Sequence, residues 1–240
     1  MIEVAHLYKS YKSHIVLRDI NLSMRKGQCV ALIGPNGSGK TTLIKCILGI
    51  ARQDRGQILF NGQPVETRDD LKGRIGYIPQ LSRFPSHMRT GELFTLLRRL
   101  RKDYTTYDTD MYDNLGVDEF SNRSLGILSE GMKQKVSAAL AFYFNPDVLI
   151  LDEPTAGLDP VANEILKTKI LKSLEESKLV LISSHILSDL DEITTHVAYL
   201  LEGQLQVSED LESLRNQSGE HSLKRIIAGI MEQNKTQWVK

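Results

Sequence analysis

The chain opens with strand-like patterning. Residues 2–9, 15–24, 28–33 and 57–60 either alternate apolar with polar positions or run apolar, and Asn61-Gly62 supplies a turn signal after the last of them. Between the third and fourth, residues 40–50 place Leu43, Ile44, Ile47 and Leu48 on one helical face. From about Pro79 to Phe144 the period becomes helical. Leu93, Phe94, Leu96, Leu97 and Leu100 share one register, and residues 129–144 form a second long amphipathic stretch. The last third alternates again, predicting strand 147–152, helix 161–174, strand 178–183, helix 186–192 and strands 197–201 and 204–207. Unbroken apolar runs such as Val148-Leu149-Ile150-Leu151 and Leu179-Val180-Leu181-Ile182 leave no polar face. That predicts an α/β fold whose mostly parallel sheet is covered by helices on both sides. The stretch 80–144 reads as a helical insertion into this core. The chain from about Ser208 reads as a small helical appendage, whose Ile226, Ile227, Ile230 and Met231 are expected to pack on the core.

Composition narrows the class. At 240 residues the chain spans one to two domains and can bury a full core without staples. Thirty basic residues balance thirty acidic ones, so no global positive field points to nucleic acid. Cys29 and Cys46 lack CxxC or His-paired spacing, which argues against a metal cluster or disulfide framework and fits a reducing compartment. No apolar run approaches the roughly 20 residues of a spanning helix, and Met1-Ile2-Glu3-Val4 lacks the features of a signal peptide. The expectation is a cytosolic chain, unless something else holds it at a membrane.

The first chemical motif is Gly34-Pro35-Asn36-Gly37-Ser38-Gly39-Lys40-Thr41, followed by Thr42. It matches GxxxxGK[ST], follows an apolar strand and opens a helix, the context in which that pattern cradles phosphates. Glycines let successive N–H groups curl inward around a polyphosphate, and the following helix adds its dipole at the same place. Lys40 can reach β- and γ-phosphate oxygens, and the Thr41 hydroxyl is a hard ligand for Mg²⁺. Its fixed positions coincide by chance in about one chain in a hundred of this length, before the flanking strand and helix are required. The loop is read as a nucleoside triphosphate site.

A second buried strand ends in Asp152-Glu153. Ligands of open α/β sheets bind beyond the carboxyl ends of the strands, so Asp152 can hold Mg²⁺ opposite Thr41. Glu153 can orient or deprotonate an attacking water. Gln80 ends the apolar segment that meets the insertion, Leu128-Ser129-Glu130-Gly131-Met132 opens its second helix, and Ser183-Ser184-His185 follows the next buried strand.

In this order and spacing the motifs resemble the ATP-binding cassette (ABC) family of ATPases, over roughly residues 2–208. The resemblance implies a P-loop NTPase core with a mostly parallel sheet, an N-terminal antiparallel β-subdomain and a helical insertion. The ATPase domain would be residues 1–207, divided into a core (1–79 and 145–207) and an insertion (80–144), with 208–240 as the appendage. Residues 34–42 then resemble the Walker A loop, and residues 148–152 the Walker B strand. Glu153 becomes the catalytic carboxylate, Gln80 the glutamine that senses Mg²⁺ and the γ-phosphate, and His185 the switch histidine. Ser129 and Gly131 belong to the signature segment, Asp159 to the D-loop, and Tyr11 stands where an aromatic stacks on adenine, with Tyr8 competing for that place. The implied ligands are ATP and Mg²⁺.

The implied partners are a second copy, joined head to tail so that each ATP is sandwiched, and separate transmembrane subunits, with no nucleic acid. The implied location is the inner face of the cell membrane. Docking is expected around residues 80–89, where Phe84, Pro85, His87 and Met88 could receive a partner helix. Arg98, Arg99, Arg101 and Lys102 could meet acidic groups there.

The signature departs from the usual LSGGQ at Glu130 and Met132; if Glu130 faces solvent, it does not oppose an anion. A degenerate Ser-x-Gly-Met form resembles the ABC-2 export branch and, more loosely, the ATPase of the copper-processing system that matures nitrous oxide reductase. An alternative is a soluble cassette ATPase serving nucleic acid or translation, but that class usually carries tandem cassettes, zinc modules or long coiled coils. A regulatory cassette that barely hydrolyses ATP fits poorly with Glu153 and His185 together.

Overall fold

The computed structural model describes residues 1–65 and 73–237. Residues 66–72 and 238–240, assigned from sequence to the core and the tail, lie outside the described residues. Two sheets carry the fold. The first is antiparallel, ordered β2-β1-β4-β5, from β1 (Ile2–Tyr11), β2 (His14–Met24), β4 (Arg55–Phe60) and β5 (Gln63–Pro64). Asn61 and Gly62 both adopt positive φ between β4 and β5, as a tight hairpin turn demands. The second sheet has six strands, ordered β10-β9-β3-β8-β7-β6. Its members are β3 (Cys29–Ile33), β6 (Ile75–Ile78), β7 (Val148–Asp152), β8 (Leu179–Ser183), β9 (His196–Leu201) and β10 (Gln204–Asp210). All pairings are parallel except β9 with β10.

The unbroken apolar strands are explained by burial on both faces. Cys29, Ala31, Leu149, Leu151, Val180 and Ile182 face one core, whereas Val30, Leu32, Val148, Ile150, Leu179 and Leu181 face another. The second core is closed by α1 (Lys40–Ile47), through Leu43, Ile44 and Ile47, and by the apolar face of the antiparallel sheet. The first is closed by the helices that follow. These are α2 (Thr90–Leu100), α3 (Asp110–Asn114), α4 (Glu130–Phe142) and α5 (Pro160–Glu175), with α6 (Leu211–Ser218) and α7 (Leu223–Gln237) near the C-terminus. β6 and β7 pair in parallel although residues 79–147 separate them, so α2, α3 and α4 form one long excursion between neighbouring strands. Ile226 and Ile227 of α7 are buried in the helix-covered core, with Ile230 and Met231 packed against it, as the stripe predicts.

Two elements differ from the pattern reading. The helix expected over 186–192 is only a 3₁₀ turn, Leu187–Leu190. Ser184 Oγ accepts from the Ile186 N–H at 3.0 Å, and this local bond replaces a helical start. The Asp191 carboxylate is drawn away to accept from the Leu223 N–H at the start of α7, at 2.7 Å. The second difference is at the end of the sheet, where β10 continues to Asp210, past the expected 207.

β6 and α4 come together because Gly76 has no side chain. A Cβ there would collide with the Ala141 carbonyl oxygen, a backbone atom that cannot swing aside. Gly76→Ala is therefore expected to cost about 1–3 kcal/mol by overpacking. A thermal melt followed by circular dichroism checks this, and an unchanged midpoint would contradict the close approach.

Candidate active site

Three strand ends set the floor of the site. Register aligns Leu32 of β3 with Ser183 of β8, and Asp152 of β7 with that same Ser183, so the motif residues emerge along one carboxyl edge. Ile78 pairs with Leu151, which brings Gln80, two residues on, beside Glu153. Lys40, Thr41, Thr42, Gln80, Asp152 and Glu153 line a single cleft of about 350 Å³, together with Asn36, Gly37 and Gly39. A second cleft, of about 320 Å³, lies between α5 and the segment up to Ile193, away from the phosphate loop.

The loop is shaped for an anion. Gly37 and Gly39 have φ of +82° and +108°, which side-chain-bearing residues avoid, and a Cβ at Gly34 would strike the Leu200 carbonyl oxygen. Lys40 Nζ donates to the carbonyl oxygens of Gly34 and Pro35, at 2.7 and 3.1 Å. Burial lowers its pKa, while the nearby Glu153 and Asp152 carboxylates raise it. Ser38 Oγ is buried without a hydrogen-bond partner, an unmet polar group inside the loop.

The acidic side is equally ordered. Asp152 is almost fully buried; its Oδ2 accepts from Thr41 Oγ1 at 3.2 Å and its Oδ1 from Ser183 Oγ at 2.5 Å. Burial, aided by the Asp152 charge, pushes the Tyr77 hydroxyl up to about 12, so it stays neutral beside this carboxylate. Glu153 turns sharply off the strand at φ +53°, a conformation rare for a residue with a side chain. Its N–H donates to Ser183 O and Oγ, at 3.1 and 3.2 Å. Glu153 Oε2 lies 2.6 Å from His185 Nδ1 and also accepts from the His185 N–H at 3.3 Å. A carboxylate only accepts, so Nδ1 carries the proton, and the exposed ring presents Nε2 outward.

Other expected site residues lie elsewhere. Ser129 caps α4, its Oγ accepting from the Met132 N–H at 3.2 Å, and neither Ser129 nor Gly131 lines the cleft. Glu130 pairs with Lys133 at 2.8 Å on the exposed first turn of α4. Gly131 closely approaches Gly157 of its own chain, since a Cβ there would lie 2.6 Å from the Gly157 oxygen. Asp159 caps α5 through the Ala162 N–H and binds Lys135 at 2.8 Å. Those two hydrogen bonds, Lys135 first, hold its carboxyl below the usual range.

Tyr11 is not brought to the cleft. It sits across the β1–β2 hairpin from His14, 48% exposed, with the Lys9 ammonium 5.1 Å from its ring centroid. His14 and Val16 line the cleft instead, and Val16 O would lie 3.0 Å from a Cβ on Gly39. Sequence reasoning missed these two, along with Ser183 as the donor to Asp152. The only signal was their place on the strand beside the loop and in the Ser183-Ser184-His185 run. Arg101 also departs from expectation: its guanidinium stacks 4.4 Å from the Phe144 ring centroid and donates to Gly73 O, so it packs inward instead of facing a partner.

The family model described as "ABC transporter" matches residues 17–156, more than half of the chain and the stretch that runs from β2 through the phosphate loop to Asp152 and Glu153. The chain belongs to the ABC transporter family. It is an ATP-binding subunit of that family and an ATPase. The lantibiotic transport ATP-binding protein SrtF of Streptococcus pyogenes is 32% identical over 223 residues, covering 90% of this chain and 96% of that protein. The Nod factor export ATP-binding protein I of Burkholderia orbicola is 30% identical over 208 residues, covering 85% and 68%. A solved ATP-binding subunit of an ABC transporter superposes with a TM-score of 0.84 at 28% identity, covering 96% of this chain and 99% of that one. A dimeric bacterial ABC transporter cassette shares the fold, with a TM-score of 0.77 at 24% identity and coverage of 88% and 99%.

Proposed function

We propose that the chain powers a membrane exporter from the cytoplasmic face, hydrolysing ATP between two head-to-tail copies that dock onto separate transmembrane subunits. The single observation that carries this is the convergence of Lys40, Thr41, Gln80, Asp152 and Glu153 on one cleft. Export is supported by the names of the relatives, which transport a lantibiotic or export a Nod factor. Among the described residues no helix is long and apolar enough to cross a membrane. A groove lined by Met88, Arg89, Glu92, Arg98, Arg99 and Asn122 adjoins the expected docking segment. The looser similarity to a copper-processing ATPase is carried by neither relative's name and adds nothing here. The division into an ATPase domain over 1–207, with its insertion 80–144, and an appendage over 208–240 belongs to the same proposal.

Each residue has a role in this scheme. Backbone N–H groups of the 34–42 loop, other than those of Pro35 and Ser38, bind the phosphates together with Lys40, and the orphan Ser38 hydroxyl lies within the same loop. Mg²⁺ fits the hard oxygens of Thr41, Asp152 and Gln80, where it would neutralise phosphate charge. Glu153 accepts the proton of the attacking water, and His185, oriented by its bond to Glu153, reaches the γ-phosphate with Nε2. Gln80 reports the state of the site to the insertion that follows it. His14 and Val16 flank the bound nucleotide, and Tyr11, opposite His14 on the hairpin, is the aromatic that would stack on adenine.

Ser129, Gly131 and Asp159 meet the nucleotide of the second copy; their distance from the cleft of their own chain supports this division. Ser129→Arg is therefore expected to abolish hydrolysis by blocking closure while each chain keeps its ATP affinity. Phosphate release measured beside fluorescent-nucleotide binding tests this. Undiminished hydrolysis would rule out the two-chain site.

A further inference from the structure

One polar side chain in the interior is not explained by any of the motifs. Gln134 of α4 is 3% exposed, yet both ends of its amide are bonded. Its Oε1 accepts from Ser82 Oγ at 2.9 Å, and its Nε2 donates to the Pro154 carbonyl oxygen at 2.9 Å. Ser82 Oγ is also 2.7 Å from Ser137 Oγ, one turn further along α4. Burying a primary amide is costly unless donor and acceptor are both satisfied, and here the partners also fix its orientation. Turned over, it would set oxygen against the Pro154 oxygen.

The three bonded segments matter more than the bonds themselves. Ser82 lies two residues beyond Gln80, Pro154 directly follows Glu153, and Gln134 belongs to the helix capped by Ser129. We propose that Gln134 is a positioning residue that ties the turn carrying Glu153 to the segment carrying Gln80, and both to α4. This rests on the roles assigned above to Gln80 and Glu153. Glu153 leaves its strand at positive φ and is held on one side by Ser183, through its N–H. The Gln134 bond to Pro154 holds the other side of the same turn. A misplacement of about 1 Å at a catalytic group can cost a hundredfold in rate. With the Ser183 clamp left in place, the expected loss is smaller. Among the described residues no hydrogen bond joins Ser82, Gln134 or Pro154 to the phosphate loop, so the ATP Kd, measured without Mg²⁺ so that Gln80 takes no part, is expected to stay put while turnover falls.

The test uses the full chain and four variants: Gln134→Met, Ser82→Ala, the two combined, and Glu153→Gln for reference. Methionine keeps the length of the side chain and removes both hydrogen bonds. Gln134→Met is expected to lower kcat about tenfold, near 1.4 kcal/mol of barrier, with the ATP Kd within about twofold. Ser82→Ala, which breaks one end only, is expected to lower kcat roughly threefold. The double variant is expected to be no slower than Gln134→Met, because both changes break one connected unit.

Unchanged kcat in Gln134→Met overturns the proposal. So does a loss of kcat and ATP affinity together, or a double variant whose losses multiply, since these mark general loosening. If Gln134→Met does not fold, Ser82→Ala carries the same kcat-against-Kd split, and full kcat in it overturns the proposal. Wild-type turnover in Glu153→Gln would instead remove the catalytic role of Glu153. A slow Glu153→Gln beside a fast Gln134→Met would remove only the positioning role.

Discussion

Glu153→Gln is expected to lower turnover by a factor of about 10² or more while ATP still binds. The amide is nearly isosteric and can keep its oxygen toward His185 Nδ1, so the 2.6 Å contact and the positive-φ turn both survive. What it cannot do is take a proton from water or place a full negative charge beside it. Because hydrolysis opens the proposed sandwich, the variant is expected to accumulate as an ATP-bound dimer. Phosphate release at saturating ATP measures the first effect, and light scattering with and without ATP measures the second. Turnover at the wild-type rate would move water activation elsewhere, with His185 next in line. A weak isolated dimer would shift the second measurement to the complex with membrane subunits, leaving the first unaffected.

The other large effect is expected from Lys40→Ala. The ammonium donates to two loop carbonyls and is partly desolvated, with the Glu153 and Asp152 carboxylates nearby. A charge-assisted contact of this kind contributes about 1.5–3 kcal/mol, and its loss corresponds to roughly a ten- to hundredfold weaker Kd. Removing the cation also leaves the triphosphate beside Asp152 and Glu153 without a counter-charge from the loop. Titration with a fluorescent ATP analogue checks this, and near-wild-type affinity would remove the phosphate-loop assignment. Hydrolysis should fall with binding, which distinguishes this variant from Glu153→Gln, where binding persists.

The parts of the site legible in the sequence are those whose chemistry is local. Residues 34–42 announce an anion loop because glycine spacing, lysine and threonine act within a few residues of one another. Asp152-Glu153 and Ser183-Ser184-His185 were legible because each follows a short apolar run, and the ends of parallel strands lie on one edge. Gln80 was legible from the same logic. The failures are also physical. The 186–192 pattern suits a helix, but Ser184 and Asp191 spend their side chains on backbone groups, one local and one 32 positions away. Arg101 belongs to a basic run, yet its flat guanidinium finds the Phe144 ring from another part of the chain.

Period and local chemistry thus determined the α/β class, five of the six strands of the large sheet, the phosphate loop and the carboxylates, because each depends on neighbours within one element. Only the tertiary structure decided the strand order β10-β9-β3-β8-β7-β6, which sets Asp152 against both Thr41 and Ser183. It alone put His14 and Val16 beside the loop while Tyr11 stayed outside. It alone joined Ser82, Gln134 and Pro154, which lie 52 and 20 positions apart, into one buried unit. Such contacts are selected by packing and by the cost of leaving a buried polar group unpaired, and neither leaves a periodic trace along the chain.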